Sequence, residues 1–347
     1  MPDALPTSMP AAVYRGKGAI TVEAVPVPSP GPGQVLVEVS HCGICGSDLH
    51  MVLEGWGQPG HIGGHESSGR VVTVGEGVTR WQQGDAVVTG PSPKCGVCDP
   101  CRAGRPSLCM KRTGPTEDHG WQGAFATYVC RDEAELYGIP PNLALRHAAL
   151  TEPLAVALHG ITLSRAQPGE RVLVTGAGPI GLLSIAALRA LGIDDVTVSE
   201  PSPRRRRLAL DVGAATAVTP DELVSPDFPT HLVDAPYHAV LECSGHPGAM
   251  ESGLGNLVPM GRLVLVGAGM RRPRFDNNRI LLNELVITGA YTYDADGYAR
   301  ALELLSTGRL PNDLLIEPAD VSLDELLDAM HGLAAGELAA KVMVVPK

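Results

Sequence analysis

The chain has 347 residues, 44% of them hydrophobic and 19% charged, with a net charge of -11 and a pI of about 5.4. This length and composition predict a soluble globular protein of two domains and argue against disorder. The acidic balance disfavours nucleic acid and anionic membranes as partners, and no apolar run approaches the ~18 residues of a membrane span. The N-terminus lacks the pattern of a secretory leader, so we expect a cytoplasmic protein with eight reduced cysteines.

Short β-branched runs, broken by Gly and Pro, follow one another over residues 11–90 and predict a compact, irregular β-barrel or sandwich. A loop-rich lobe at about residues 91–112 follows. It contains four cysteines with the spacing C-x2-C-x2-C-x7-C, namely Cys95, Cys98, Cys101 and Cys109. Four thiolates this close in sequence can complete a tetrahedral shell around Zn²⁺, which predicts a structural zinc site.

The sequence pattern changes near residue 145. The segment LRHAALTEPLAVALHGITLSRA has helical apolar spacing and predicts one helix that joins two domains. From RVLVTGAG onward, strands alternate with helices, which predicts a parallel, doubly wound sheet with right-handed crossovers. Two amphipathic helices and the closing strand AAKVMVVP follow from about residue 291. The predicted fold class is therefore α/β.

A glycine motif stands directly after the strand RVLVT and opens an apolar helix. Gly176 permits a tight turn, Gly178 lets the backbone approach a pyrophosphate, and Gly181 allows close packing of helix on strand. Pro179 and Ile180 begin the helix, whose N-terminal amides favour phosphate. Strand, glycines and helix in this order predict a dinucleotide site.

Glu200 ends the next strand, VTVSE, and lies 19 residues after Gly181. A carboxylate at this position can accept bonds from both adenosine ribose hydroxyls and repels a 2′-phosphate, so we expect NAD, with NADP as the alternative. The arginine run at residues 204–207 keeps that alternative open. It is either a solvated start of a helix or a source of contacts to the adenosine ribose or phosphate.

A second set of possible metal ligands lies outside the cysteine lobe. Cys45, in CGICGSDLH, and His65-Glu66, in GGHESSG, belong to the β-rich part, and Glu152 lies at the domain boundary. Thiolate, imidazole and carboxylate all bind zinc, and three protein ligands leave a position for water or substrate. Sequence spacing alone does not bring these residues together.

The order of the motifs resembles that of the zinc-dependent medium-chain dehydrogenases, which include alcohol, sorbitol and threonine dehydrogenases. The motifs are C-G-S-D-x-H, G-H-E, the four cysteines, E-P-L and G-x-G-x-x-G, and they extend over essentially the whole chain. The resemblance implies a GroES-like β-rich catalytic domain and a Rossmann coenzyme domain. We expect domain boundaries at 1–153 for the former, 154–290 for the latter, and a C-terminal return to the catalytic domain over 291–347.

The resemblance also implies roles for the metal-site residues. Cys45 and His65 match catalytic zinc ligands, and Glu66 matches an adjacent glutamate that is either a ligand or a close neighbour. Glu152 stands where alcohol dehydrogenases often carry cysteine and polyol dehydrogenases carry glutamate, which favours the polyol-like branch. Asp48 matches a carboxylate that orients the zinc-bound histidine.

Four further roles follow from the same resemblance. Ser47 matches the hydroxyl that takes the substrate proton, and His50 matches a relay of that proton towards solvent. Arg205 matches a basic residue against the adenosine ribose, and Val266 matches a residue of the coenzyme site. The cysteine lobe matches the family's structural zinc site, so two zinc ions per chain are expected.

The expected activity is reversible oxidation of an alcohol to a ketone or aldehyde, with hydride transfer to NAD. A polyol, a sugar or cyclitol, or an amino alcohol is favoured as substrate, and a homo-oligomer is expected, with a tetramer favoured over a dimer. Two alternatives stay open: a zinc-free quinone or enoyl reductase on the same fold, and a coenzyme-binding protein without catalytic activity.

Overall fold

The structure is a computed structural model that describes residues 5–90, 94–111 and 122–347. The strands in chain order are β1 (Ser8–Gly16), β2 (Ala19–Pro26), β3 (Gln34–Gly43), β4 (Glu66–Val74), β5 (Ala86–Thr89), β6 (Tyr128–Asp132), β7 (Leu136–Gly138), β8 (Val172–Thr175), β9 (Val196–Ser199), β10 (Thr216–Val218), β11 (Tyr237–Glu242), β12 (Leu257–Leu265), β13 (Val286–Gly289) and β14 (Met343–Val344). The α-helices are α1 (Gly46–Leu49), α2 (Asp99–Arg102), α3 (Leu145–Ala148), α4 (Thr151–Ser164), α5 (Pro179–Ala190), α6 (Pro203–Asp211), α7 (Pro247–Gly255), α8 (Asn277–Leu282), α9 (Gly297–Ser306) and α10 (Leu326–Ala335). A π-helical turn, His50–Glu54, follows α1.

The chain forms two compact units. The first unit comprises Met1–Glu152, Tyr298–Ser306 and Ile316–Lys347, and the second comprises Pro153–Gly297 and Thr307–Leu315. Residues 291–297 and 307–315 thus belong to the second unit, whereas the sequence analysis placed the return to the first domain at residue 291.

The first unit is built on a sheet with the strand order β14-β3-β4-β5-β7, in which β6 also pairs with β3. Val35, Val37 and Val39 of β3 are almost fully buried in the core because alternate residues of a strand point to one face. The antiparallel register places Met343 of β14 beside Gly43 of β3, and Gly43 beside Glu66 of β4. The C-terminal strand is thereby the terminal strand of this sheet order and pairs with β3 near the start of the chain.

The second unit contains a six-stranded sheet with the order β10-β9-β8-β11-β12-β13, in which every neighbouring pair is parallel. This is the order of a dinucleotide-binding sheet, and it confirms the doubly wound fold expected from the alternating pattern. Strand β8 is buried over its whole length, as strands covered by helices on both faces are. The strand order reverses between β8 and β11, so the loops after these strands border the crevice where such sheets bind ligands.

Two local features differ from the expectation. The single helix predicted from residue 145 is two helices, α3 and α4, and the short strands β7 and β10 had not been predicted. A proline in the interior of one long helix would clash with the preceding turn, whereas Pro153 lies in the first turn of α4, where its missing N–H costs nothing. Within the described ranges, no helix combines the length and the apolarity needed to cross a membrane.

Candidate active site and metal centres

The four cysteines of the lobe come together in space. Their sulfur atoms all lie within 4.8 Å of one another, with Sγ–Sγ distances of 4.0 Å for Cys95–Cys101 and 3.9 Å for Cys98–Cys109. Four sulfurs at ~2.3 Å from one tetrahedral zinc are ~3.8 Å apart, so the arrangement fits the ion. The structure describes this lobe over residues 94–111, and residues 91–93 and 112 of the predicted span lie outside the described residues.

Backbone amides of the lobe point at its sulfurs. The amide of Cys98 donates to Cys95 Sγ at 3.4 Å, and the amide of Met110 donates to Cys98 Sγ at 3.4 Å. The Met110 amide is the main cause that lowers the pKa of Cys98 to about 6. Amide bonds of this kind stabilise thiolates, which are the form of cysteine that binds a metal.

Cys45, His65 and Glu66 form the second cluster of donors, with one ligand atom of each within 4.8 Å of the others. Cys45 caps α1 directly after β3, and His65 and Glu66 stand at the beginning of β4. Strands β3 and β4 pair antiparallel, so the end of one strand meets the start of the other, and residues 20 apart in sequence become neighbours. A thiolate, an imidazole and a carboxylate match the ligand types of a zinc site.

Asp48 stands behind this cluster. Its carboxylate accepts the Cys45 amide at 2.9 Å and lies 3.9 Å from Nδ1 of His65. Partial burial lowers the pKa of His65, but Cys45, Asp48 and Glu152 together raise it well above its usual value. The surroundings of the imidazole thus carry an excess of negative charge, which is the electrostatic setting of a bound cation.

Glu66 is fully buried and ion-paired with Lys341. The ammonium lies 2.8 Å from Oε1 and 2.7 Å from Oε2 of Glu66, and it also donates to the carbonyl of Ile44 at 2.9 Å. A side chain at Gly43 would overlap the Glu66 carboxylate, so glycine is required where β3 passes the pair. Lys341 precedes β14, and the sequence analysis missed it, although a lone lysine in the apolar strand AAKVMVVP indicates a buried charge.

Glu152 lies near this cluster but outside the group of three donors within the described residues. It is buried, and its carboxylate interacts electrostatically with His65, Glu66 and Lys341. Burial is the main cause that raises the pKa of Glu152 to about 7. Glu152, which the sequence analysis gave as a further zinc ligand, thus interacts electrostatically with His65 but is not one of the three clustered donors.

Ser47 and His50 follow Cys45 on α1 and the π-helical turn. Ser47 is exposed, and His50 is partly buried, with Nδ1 lying 2.9 Å from Oε1 of Glu54. The imidazole stacks on Trp56 with ring centroids 4.8 Å apart and an interplanar angle of 11°. This stacking fixes the plane of the ring that the sequence analysis assigned to proton relay.

The glycine loop of the second unit has the geometry of a phosphate cradle. Gly176 has φ +91°, and a side chain there would lie 2.9 Å from Cβ of Ser244, while one at Gly181 would overlap the Gly176 carbonyl. Space is open above Gly178, at the N-terminus of α5, so an anion can reach the free amides of the helix. Val266, directly after β12, donates its amide to the Glu242 carbonyl at 2.8 Å.

Glu200 is buried at the end of β9, and backbone amides hold both of its oxygens. Oε2 accepts the Ala177 amide of the glycine loop at 2.8 Å, and Oε1 accepts the Ser202 amide at 2.9 Å. The Arg205 amide bonds to Ser202 Oγ at 3.4 Å in the first turn of α6. The guanidinium of Arg206, which the sequence analysis did not single out, donates to the Glu200 carbonyl at 2.6 Å.

Comparison with known proteins assigns the family. Residues 31–141 match the alcohol dehydrogenase GroES-like domain, and residues 179–307 match the zinc-binding dehydrogenase domain. A sorbitol dehydrogenase of Bacillus subtilis is 32% identical over 100% of this chain and 99% of its own, and an L-threonine 3-dehydrogenase of Thermococcus kodakarensis is 36% identical over 95% of each. The chain belongs to the zinc-dependent medium-chain dehydrogenase family.

Solved structures agree with this assignment. A zinc-binding dehydrogenase of Sinorhizobium meliloti bound to NADP is 33% identical, with a TM-score of 0.86 over 98% of this chain and 100% of its own. A 2R,3R-butanediol dehydrogenase of Bacillus subtilis is 30% identical, with a TM-score of 0.83 over the same shares. This medium-chain dehydrogenase is therefore a zinc-containing, NAD(P)-dependent alcohol oxidoreductase with the GroES-like and Rossmann folds expected from its sequence.

Replacement of Lys341 tests the buried ion pair. Lys341→Met leaves the Glu66 carboxylate buried without its cation, so we expect the free energy of unfolding to fall by about 3–5 kcal/mol. Urea denaturation of the zinc-loaded protein measures this change. The matched control is Lys347→Met, which removes an exposed lysine 3.9 Å from Glu38 and should change stability by less than about 1 kcal/mol. Equal effects of the two substitutions would contradict the assignment.

Proposed function

We propose that this enzyme oxidises a polar alcohol reversibly to a ketone or aldehyde at the Cys45–His65–Glu66 cluster, with hydride transfer to NAD. The observation that carries the proposal is the convergence of these three donors in the first unit, where Ser47 and His50 follow the donor Cys45 on the adjoining helical turns. Metal ligands alone are compatible with a structural site. A hydroxyl and an imidazole on the adjoining helical turns supply the proton transfer that alcohol oxidation needs.

The proposed substrate class is a polyol, a sugar or cyclitol, or an amino alcohol. The relatives named above act on sorbitol, threonine and a butanediol, each of which carries a second polar group beside the reacting hydroxyl. Glu152, a carboxylate with a pKa raised by burial near the cluster, supports a polar pocket. The exposed Trp56 beside His50 supplies an apolar surface next to the reacting groups.

In the proposed mechanism, Cys45 and His65 would hold zinc, and a carboxylate of Glu66 or Glu152 would supply a third donor. The metal would supply Lewis acidity that lowers the pKa of the alcohol, and the nicotinamide would supply the hydride acceptor. Ser47 accepts the proton that the alcohol loses, and His50 passes it towards solvent. Asp48 keeps His65 oriented, as residues behind metal ligands generally do.

NAD is the proposed coenzyme. The buried Glu200 carboxylate, tied to the Ala177 amide at the end of β9, supports this preference because it repels a 2′-phosphate. The glycine loop with Pro179 and Ile180 would hold the pyrophosphate, and Arg205 and Val266 would contribute further contacts. NADP is the alternative, since the relative from Sinorhizobium meliloti was solved with NADP.

The proposed role of the cysteine lobe is structural, with a second zinc ion bound by its four thiolates. All four sulfurs converge, so no position is left for substrate, unlike the cluster around Cys45. None of the eight cysteines, which all lie within the described residues, forms a disulfide, and this supports a reducing compartment such as the cytoplasm.

A homo-oligomer is proposed, with a tetramer favoured over a dimer. Strand β13 lies at the edge of the six-stranded sheet, and four large apolar side chains around it are exposed by 51–71%. They are Met260, Leu281, Leu282 and Val286. An exposed strand edge that is surrounded by exposed apolar side chains favours pairing with a second copy of the chain.

The substitution Cys45→Ser tests the catalytic proposal. It removes a thiolate ligand, so we expect turnover to fall at least ~1,000-fold while NADH binding changes little. Initial rates over a panel of polyols, cyclitols, amino alcohols and simple alcohols, with NAD and with NADP, measure activity and coenzyme preference. Activity that persists after zinc removal would indicate a zinc-free reductase instead, and a clear preference for NADP would refute the role of Glu200.

The substitution Cys98→Ser tests the structural role of the lobe. Loss of one of four ligands should lower zinc content towards one ion per chain and lower the melting temperature, because structural zinc contributes folding energy. Elemental analysis and calorimetry measure both quantities. The matched control is Cys243→Ser, a cysteine outside both clusters, which should keep two ions per chain. A Cys98→Ser variant of full stability that loses only catalysis would contradict the structural assignment.

The substitution Val286→Asp tests the proposed interface. A charge on the edge strand should reduce the molar mass measured by light scattering, because burying it against a second copy is unfavourable. The control is Val224→Asp, at a more exposed apolar residue of the same unit that lies outside the sheet. A wild-type protein that is monomeric at micromolar concentration would refute the oligomer.

A further inference from the structure

A buried carboxylate that the proposed mechanism does not use stands at the coenzyme edge of the parallel sheet. Glu242 is the last residue of β11 and is 0% exposed. In the sheet it is paired with Thr175 at the end of β8 on one side and with Leu265 of β12 on the other. It therefore lies beneath three loops that border the crevice.

Glu242 accepts hydrogen bonds from the loop after β11 and from the last residue of β8. Oε1 accepts the amides of Ser244 at 2.8 Å and Gly245 at 3.0 Å, and also the Ser244 hydroxyl. It receives a longer bond of 3.4 Å from the hydroxyl of Thr175, the residue before the glycine motif. Oε2 accepts the Gly245 amide at 3.1 Å. One side chain thus connects the loop after β11 to the end of β8.

The loop after β11 is in close contact with both neighbouring loops. Ser244 lies 2.9 Å from the place that a Gly176 side chain would occupy, and a side chain at Gly245, which has φ +69°, would overlap the Ala268 carbonyl. Side chains at Gly267 or Gly269 would in turn overlap the Gly245 backbone. Since these backbones touch directly, a displacement of residues 244–245 displaces the other two loops.

The charge of Glu242 is compensated by dipoles alone. Across the part of the chain that the structure describes, no lysine, arginine or histidine forms an ion pair with this carboxylate. Burial raises its pKa, whereas bonds from Ser244, Gly245 and Thr175 lower it. Burying a carboxylate without a cationic partner is unfavourable, and an apolar residue at this position would make the fold more stable. The presence of the carboxylate is explained if its oriented hydrogen bonds are needed.

The glycine loop is held from both sides in the same way. On the β9 side, Glu200 accepts the Ala177 amide at 2.8 Å, and on the β11 side, Glu242 accepts the Thr175 hydroxyl. The three residues 175–177 therefore lie between two buried carboxylates.

We propose that Glu242 is a positioning residue for the coenzyme. Its carboxylate sets the loop after β11, and this loop fixes the glycine loop so that the first amides of α5 face the pyrophosphate. The inference rests on the proposed binding of NAD at the glycine loop. It predicts that coenzyme affinity depends on a side chain that is fully buried and outside the glycine motif.

Isothermal titration of NADH into the full-length, zinc-loaded protein tests the proposal. Glu242→Gln has the same shape but directs an NH₂ donor at an amide donor, so the NADH dissociation constant should rise about tenfold or more. The KM for NAD should rise in parallel, while kcat at saturating NAD should change less than about twofold, as for a loss of uniform binding. Thr175→Val, which removes only the hydroxyl, should raise the dissociation constant about two- to fivefold.

The matched control is Glu317→Gln in the first unit. Glu317 is a buried glutamate whose Oε1 accepts the amides of Ala339 at 2.7 Å and Ala340 at 3.0 Å. Its substitution should lower the melting temperature to a similar degree but leave the NADH dissociation constant unchanged, which separates positioning from general loss of stability.

Three outcomes would overturn the inference. A folded Glu242→Gln variant that binds NADH as tightly as the wild type would refute it directly. If this variant does not fold, an unchanged dissociation constant for Thr175→Val would refute it. If Glu317→Gln weakens NADH binding as much as Glu242→Gln does, the effect reflects a general loss of stability and not positioning. A wild-type enzyme that binds neither NADH nor NADPH would instead refute the proposed function on which the inference rests.

Discussion

The candidate metal site depends on one buried ion pair, between Lys341 and Glu66. Removing both charges from water costs several kcal/mol for each ion, and only close, well-oriented contact offsets that cost. The pair achieves this contact through the strand order β14-β3-β4, which places the C-terminal strand next to the residues that carry the donors. The same pairing requires glycine at position 43 and connects residues 275 positions apart in sequence.

The second unit also buries carboxylates, but backbone amides and not a lysine compensate their charge. Glu200 and Glu242 are buried acids at the ends of parallel strands, and both are compensated by backbone amides. An amide is a fixed dipole, so a carboxylate that accepts it also fixes the loop to which the amide belongs. In the first unit, a buried lysine ammonium compensates a carboxylate beside the donors, whereas in the second unit the backbone itself does so. The two acids of the second unit therefore act on loop geometry.

Local pattern was sufficient for much of this protein. The buried run of β8, the glycines after it and the apolar helix α5 were predicted because strand, turn and helix each follow from short-range residue preferences. The cysteine spacing predicted the lobe for the same reason. The boundary between α3 and α4 was missed because helical periodicity outweighed Pro153, and β10 was missed because three residues carry too little pattern.

The sequence by itself determined the fold class, the order of the motifs and the chemical types of the donors, since these are properties of short segments. Only the tertiary structure decided which charges meet. Lys341 and Glu66 are partners because two antiparallel pairings align β14, β3 and β4, and Glu242 is placed beneath the glycine loop because β11 follows β8 in the sheet. Long-range strand pairing is set by the packing of whole faces, and no local residue preference encodes it.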